Sequence, residues 1–174
     1  MALDAQTPAD ELRALQAPLK QRYREDPAAG LVTLTARATL DEGVTCSVET
    51  GRALAAAGLH PAAGGDGSAL CSGDLLLEAL AACAGVTMRA VAIALAMPVE
   101  GTVVAEGELD FRGTLGVDRE APVGFRSIRL RFDLDTEADP ESLSKLVSLT
   151  ERYCVVLQTL AGSAELSVDW GQDG

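Results

Sequence analysis

The chain has 174 residues, with 14 Lys and Arg against 26 Asp and Glu, a formal net charge of −12. That length fits one domain with its own core, and the charge argues against a nucleic-acid backbone or an anionic membrane surface as partner. Apolar residues make up 48% of the chain and aromatics only 3%, so the core must be built from Leu, Val and Ala.

The first residues, Met1-Ala2-Leu3-Asp4-Ala5-Gln6-Thr7-Pro8, lack the basic and apolar regions of a secretory signal, so the expected compartment is the cytoplasm. Residues 7–24 are predicted as a helix: Pro8 suits the first turn, and Leu12, Leu15 and Leu19 recur at helical spacing. Residues 31–40 alternate, with Val32, Leu34, Ala36, Ala38 and Leu40 on one face and Thr33, Thr35, Arg37 and Thr39 on the other. That is a half-buried strand. A turn at Asp41-Glu42-Gly43 and a second alternation through Val44, Cys46 and Val48 make it a hairpin. A Gly-rich loop follows over 58–73.

Leu75 to Met97 carries only two charges, Glu78 and Arg89. It is long enough to span a bilayer, but the mid-run charges, Pro98 and the lack of basic flanks argue against insertion. We read it as one long helix, apolar on most of its circumference, which must be surrounded by protein. Residues 103–112 and 127–135 alternate as two more strands of a second hairpin, each with a dry and a wet face. Asp139-Pro140-Glu141 starts another helix, with an apolar stripe through Leu143, Leu146 and Val147. Leu166, Val168 and Trp170 alternate as a short final strand. Hairpins imply antiparallel sheets, so the fold class is α+β. The long helix is too apolar for so few strands to cover, which implies a two-fold dimer with the two long helices packed at its centre.

The chemistry-bearing residues are few. Cys46, Cys71, Cys83 and Cys154 form no C-x-x-C, and His60 is the only histidine, so no metal site is expected. In a reducing compartment they are free thiols or a redox pair. Cys83 has Ala79, Leu80, Val86 and Thr87 as same-face neighbours, which by itself describes a buried core cysteine. Cys154 ends a helix, and spacing alone does not say whether it meets Cys83. His60 reads as a solvent-facing loop residue, Asp74 as a cap of the long helix, and Cys71 as a loop bystander or an alternative thiol.

The stretch Ser72-Gly73-Asp74-Leu75-Leu76-Leu77-Glu78-Ala79-Leu80-Ala81-Ala82-Cys83-Ala84-Gly85-Val86-Thr87-Met88-Arg89 resembles the first cysteine motif of the OsmC/Ohr family of osmotically induced and organic-hydroperoxide-resistance proteins. Leu149-Thr150-Glu151-Arg152-Tyr153-Cys154-Val155-Val156-Leu157-Gln158-Thr159-Leu160 resembles the second. The resemblance covers roughly residues 30–170. It implies a single OsmC-like domain: a helical extension over 1–29, a hairpin and Gly-rich loop over 30–72, and a central helix with the first cysteine over 73–98. A second hairpin over 99–138 and a helix with the second cysteine and a final strand over 139–170 complete it. It also implies antiparallel sheets wrapped around long central apolar helices in an intertwined homodimer. The implied activity is reduction of organic hydroperoxides, with Cys83 as peroxidatic and Cys154 as resolving cysteine, an external dithiol as reductant and no cofactor.

This chemistry needs a thiolate, whereas a free thiol is mostly protonated at neutral pH and burial protonates it further. A cation is therefore expected at Cys83. Arg37, the one charge on the polar face of the first strand, matches the family's strand arginine, with Arg52 as runner-up. Leu76, Leu80 and Val86 are expected to form an apolar wall suited to alkyl hydroperoxides. Two positions depart from the family pattern: Gly73 stands where the peroxidase branches carry a glutamate, and Val155 where Pro often follows the second cysteine. These departures keep open a different reading, a non-catalytic small-molecule-binding or redox-sensing protein of the same fold.

Overall fold

The structure, a computed structural model, describes residues 8–40, 46–48, 58–67, 71–162 and 164–168, with the backbone alone over 8–13, 33–40 and 46–48. Helix α1 (Pro8–Glu25) opens on Pro8 and closes with Arg22 and Arg24 in its last turn, where cations complement the helix dipole. Asp26 then caps a 3₁₀ turn, its carboxylate accepting from the Ala28 N–H at 3.1 Å. The chain passes directly into β1 (Leu31–Leu40). β2 (Cys46–Val48) pairs antiparallel with it, Ala38 opposite Val48 and Leu40 opposite Cys46. The predicted hairpin is therefore present, while its turn at 41–43 lies outside the described residues.

β3 (Glu100–Asp110) and β4 (Phe125–Asp135) form the second hairpin, and the four strands make one antiparallel sheet in the order β2-β1-β3-β4. Register makes one face continuous. Val103, Ala105, Gly107 and Leu109 stand opposite Ala38, Ala36, Leu34 and Val32 on β1, and opposite Phe132, Leu130, Ile128 and Phe125 on β4. Directly opposed residues share a face, so this is the dry face. Gly107 is small because the Phe125 ring lies across it: a Cβ there would come 2.4 Å from that ring and 3.3 Å from Leu77. β3 starts and ends earlier than the alternation predicts. Asp110 stops it by capping a short helix, α3 (Phe111–Thr114).

The central helix α2 (Ser72–Ala94) lies on this dry face. Leu77, Leu80, Ala81, Ala84, Met88 and Ala92 are buried and recur every three or four residues. It is the one described helix long and apolar enough to cross a membrane, and its buried stripe makes it the core helix of this domain. It begins at Ser72 because Cys71, and not Asp74, is its cap: the Cys71 sulfur accepts from the Gly73 N–H at 3.4 Å. Cys71 is thus part of the helix start.

Two helices pack against α2. α4 (Pro140–Tyr153) starts on Asp139 as predicted, the carboxylate accepting from the Glu141 and Ser142 N–H groups at 3.0 Å each. The predicted single helix with the second cysteine is in fact two: α4 stops at Tyr153, and α5 (Val155–Ala161) begins after Cys154. The final strand is also corrected. Residues 164–168 form no strand, and Leu166 and Val168 are 89% and 91% exposed; Trp170 lies outside the described residues. Alternation reports two unlike faces but does not supply a neighbouring strand.

His60 is corrected too. It is half-buried, its Nδ1 accepts from the Ala62 N–H at 3.0 Å, and its ring stacks on Phe111 with centroids 4.9 Å apart. α1 secures the same loop, with the Tyr23 hydroxyl donating to the Ala62 carbonyl at 2.8 Å and Gln16 to the Ala63 carbonyl at 3.0 Å.

Candidate functional site

Cys83 lies midway along α2, and Cys154 lies 71 positions later in the joint between α4 and α5. The joint forms because Cys154 leaves helical geometry (φ −71°, ψ 104°) while its backbone serves both neighbours. Its N–H donates to the Thr150 carbonyl and its carbonyl accepts from the Gln158 N–H, each at 2.9 Å. The Gln158 side chain also donates back to the Glu151 carbonyl at 2.8 Å. The joint buries Cys154 completely, in the same core cluster as Leu146, and brings its thiol within hydrogen-bonding reach of the Cys83 sulfur. The first N–H groups of α5, those of Val155 and Val156, also reach that sulfur.

The two thiols respond oppositely. Burial raises Cys83, but hydrogen bonds from the Val156 N–H, the Cys154 thiol, the Thr87 hydroxyl and the Val155 N–H outweigh it and hold Cys83 below the ordinary thiol value. Cys154 is pushed up to about 11, above all by burial; the Leu157 N–H pulls it back next, the Cys83 side chain and its charge push it up further, and the Val156 N–H opposes last. The pair therefore loses its first proton at Cys83, and Cys154 keeps its S–H as a donor to the resulting thiolate.

A cation was expected to favour this thiolate; the described groups that do so are dipoles. No sequence signal marks them, since Arg152-Tyr153-Cys154-Val155-Val156 contains no Gly, Pro or capping residue at the break. Arg37 sits on β1 opposite Val104, in the row that alternates away from the dry face, and its side chain is outside the described residues, as is all of Arg52. Arg89 faces elsewhere, donating to the Val99 carbonyl at 2.9 Å. Glu78 and Asp74 are four residues apart, and burial followed by the Asp74 charge raises the Glu78 carboxyl. The apolar wall is only partly as expected. Leu76 and Val86 are exposed on the same helix side as Cys83, but Leu80 is fully buried in the core. Among the described residues no cluster of His, Cys, Asp or Glu is arranged to hold a metal ion.

Two cavities are notable. One of about 540 Å³, lined by Arg152, Tyr153, Val155, Gln158 and Thr159, opens on the outer side of the α4–α5 joint. A larger one of about 670 Å³ lies between the α2–β3 and β4–α4 connections, beyond the far end of α2 from the sulfur pair.

The model of the OsmC-like protein family matches residues 65–169, which contain Cys83, Cys154 and the elements α2, β3, β4, α4 and α5. The chain belongs to the OsmC-like family. Its fold is also that of a crystal structure described as an OsmC-like hydroperoxide resistance protein from Jannaschia sp. CCS1. The two share 17% identity and a TM-score of 0.57 over 83% of this chain and 95% of that one. No curated protein matches the chain. The α+β class and the OsmC-like architecture are thus shown from family and fold together, and α1 lies outside the span the OsmC-like family model matches.

Proposed function

We propose that this OsmC-like protein is a thiol-dependent reductase of organic hydroperoxides. The observation that carries the reading is the contact of two sulfurs whose ionisation is split, Cys83 favouring the thiolate and Cys154 the thiol. The Cys83 thiolate attacks the outer peroxide oxygen, giving a sulfenic acid and an alcohol. Cys154 condenses with the sulfenic acid, releasing water and forming a disulfide, which an external dithiol reduces by exchange. Leu76 and Val86 beside Cys83 favour an alkyl-bearing peroxide over hydrogen peroxide. Arg37 enters as the guanidinium that the family resemblance assigns to the thiolate.

The proposal includes a homodimer. Leu76, Ala79, Cys83, Val86, Ala90 and Ile93 follow a three-four spacing along one side of α2, and Ile93 is 56% exposed. That spacing suits a second α2 packed against the first.

Titration with cumene hydroperoxide tests the chemistry. One equivalent is expected to consume two thiols per chain and yield a Cys83–Cys154 disulfide by peptide mapping. Cys83→Ser is expected to abolish consumption, and Cys154→Ser to stop at a sulfenic acid trapped by dimedone. Both thiols intact after treatment of the wild type would refute the proposal.

A further inference from the structure

The described helical threonines spend their hydroxyls differently. Thr150 and Thr159 each donate at 2.8 Å to the carbonyl four residues back, the usual use of a hydroxyl inside a helix. Thr87 lies four residues after Cys83, one turn along the same face of α2 and half-buried, and its hydroxyl is among the groups that hold the Cys83 thiol down. One turn of α2 therefore sets a hydroxyl beside the candidate reacting atom, which the Val155 and Val156 N–H groups reach from α5.

We infer that Thr87 is a catalytic residue of the peroxide-reducing step, acting as a proton relay between the two peroxide oxygens. The inference rests on the hydroperoxide reading above. A hydroxyl carries one proton and two lone pairs, so it can accept and donate at once. When the Cys83 thiolate attacks the outer oxygen, an S–O bond forms and the O–O bond breaks. Sulfur is oxidised by two electrons, and the peroxide is reduced to the alcohol level. The proton on the outer oxygen passes to the Thr87 oxygen while the Thr87 proton passes to the departing alkoxide. The products are a Cys83 sulfenate and a neutral alcohol, the charge is −1 before and after, and Thr87 ends unchanged. Protonation of the sulfenate from water gives the sulfenic acid that Cys154 resolves. The relay spares the site a free alkoxide beside Leu76 and Val86, which offer no proton.

Thr87→Val removes the hydroxyl at nearly constant volume, and Thr87→Ser restores it. Two readouts are compared in wild type and both variants: the pH profile of Cys83 alkylation by iodoacetamide in a Cys154→Ser background, and the second-order rate with cumene hydroperoxide. Thr87→Val is expected to move the alkylation midpoint to higher pH and to slow peroxide reduction roughly 10- to 100-fold at a pH where Cys83 is fully ionised. Thr87→Ser is expected to recover most of both. Thr87→Ala makes the same comparison if the valine variant does not fold. An unchanged alkylation profile in Thr87→Val overturns the contact and with it the inference. A shifted profile with an unchanged rate for the ionised thiol, or with no rescue by serine, overturns the relay. If wild type alkylates with a low midpoint but consumes no hydroperoxide, the hydroperoxide reading fails and takes the relay with it, while the Thr87–Cys83 contact stands.

Discussion

Ala96 ends the central helix with φ +51°, the left-handed conformation that an L side chain disfavours by about 1–2 kcal/mol. The helix requires it there: the Ala96 N–H donates to the Ile93 carbonyl at 3.0 Å and the Met97 N–H to the Ala92 carbonyl at 2.9 Å, the paired bonds of a Schellman stop. Glycine is the residue that adopts this geometry freely. Ala96→Gly is therefore expected to stabilise the fold by about 1 kcal/mol, less the entropy it adds to the unfolded chain. A rise in Tm of about 2–4 °C is the expected reading for a chain of this size. A Tm that is unchanged or lower would count against the assignment. At this scale the sequence is least informative. Gly-Pro logic predicts a stop near Pro98, but nothing in Ala94-Leu95-Ala96-Met97 tells which residue turns left-handed.

Asp110 shows how an element boundary is set. Its carboxylate, fully buried, accepts from the Arg112 N–H at 3.1 Å and from the Arg112 guanidinium, which also reaches Asp118 at 3.2 Å. Gly30 makes room, since a Cβ there would stand 3.1 Å from both Asp110 Oδ1 and Arg112 Cγ. Hydrogen bonding by Arg112 holds the carboxyl below its usual value. A depressed carboxyl contributes stability that is present above its unfolded value, about 4, and is lost as pH falls through the folded one. Asp110→Asn is expected to lower Tm by several degrees at pH 7 and to flatten the fall in Tm below about pH 4. Parallel acid limbs for variant and wild type would contradict this. Elements with a strong local period were legible: β1 matches its predicted span, and α4 begins where Asp139-Pro140 says. The Cys154 break and the early end of β3 were not. Each is decided by partners far along the chain or by one capping side chain that overrides a continuing apolar pattern.

Among the described residues, the dry face of the sheet and the α4–α5 pair cover two sides of α2 and leave the Leu76–Ile93 side exposed. The exposed, alternating Leu166 and Val168 raise the same question of cover. The proposed second copy would cover the helix, with Cys83 within the contact stripe. The protein is expected to elute at twice its chain mass. Val86→Asp, placing a carboxylate in that stripe three residues from Cys83, is expected to give a monomer at low micromolar concentration. Wild-type elution as a stable monomer would refute the dimer. The α+β class was readable from the hairpins, and the two cysteines from their motifs. Their meeting came only as what the family resemblance implied, because no local rule joins positions 83 and 154.

That meeting ties the proposed reaction to the mechanics of the fold. A covalent link from the middle of the central helix to the α4–α5 joint would close a ring of about 70 residues and narrow the disordered ensemble by about 4 kcal/mol on a chain-entropy basis. A spent molecule would thus be the stiffer one, and each turnover by the external reductant would return it to a looser resting form.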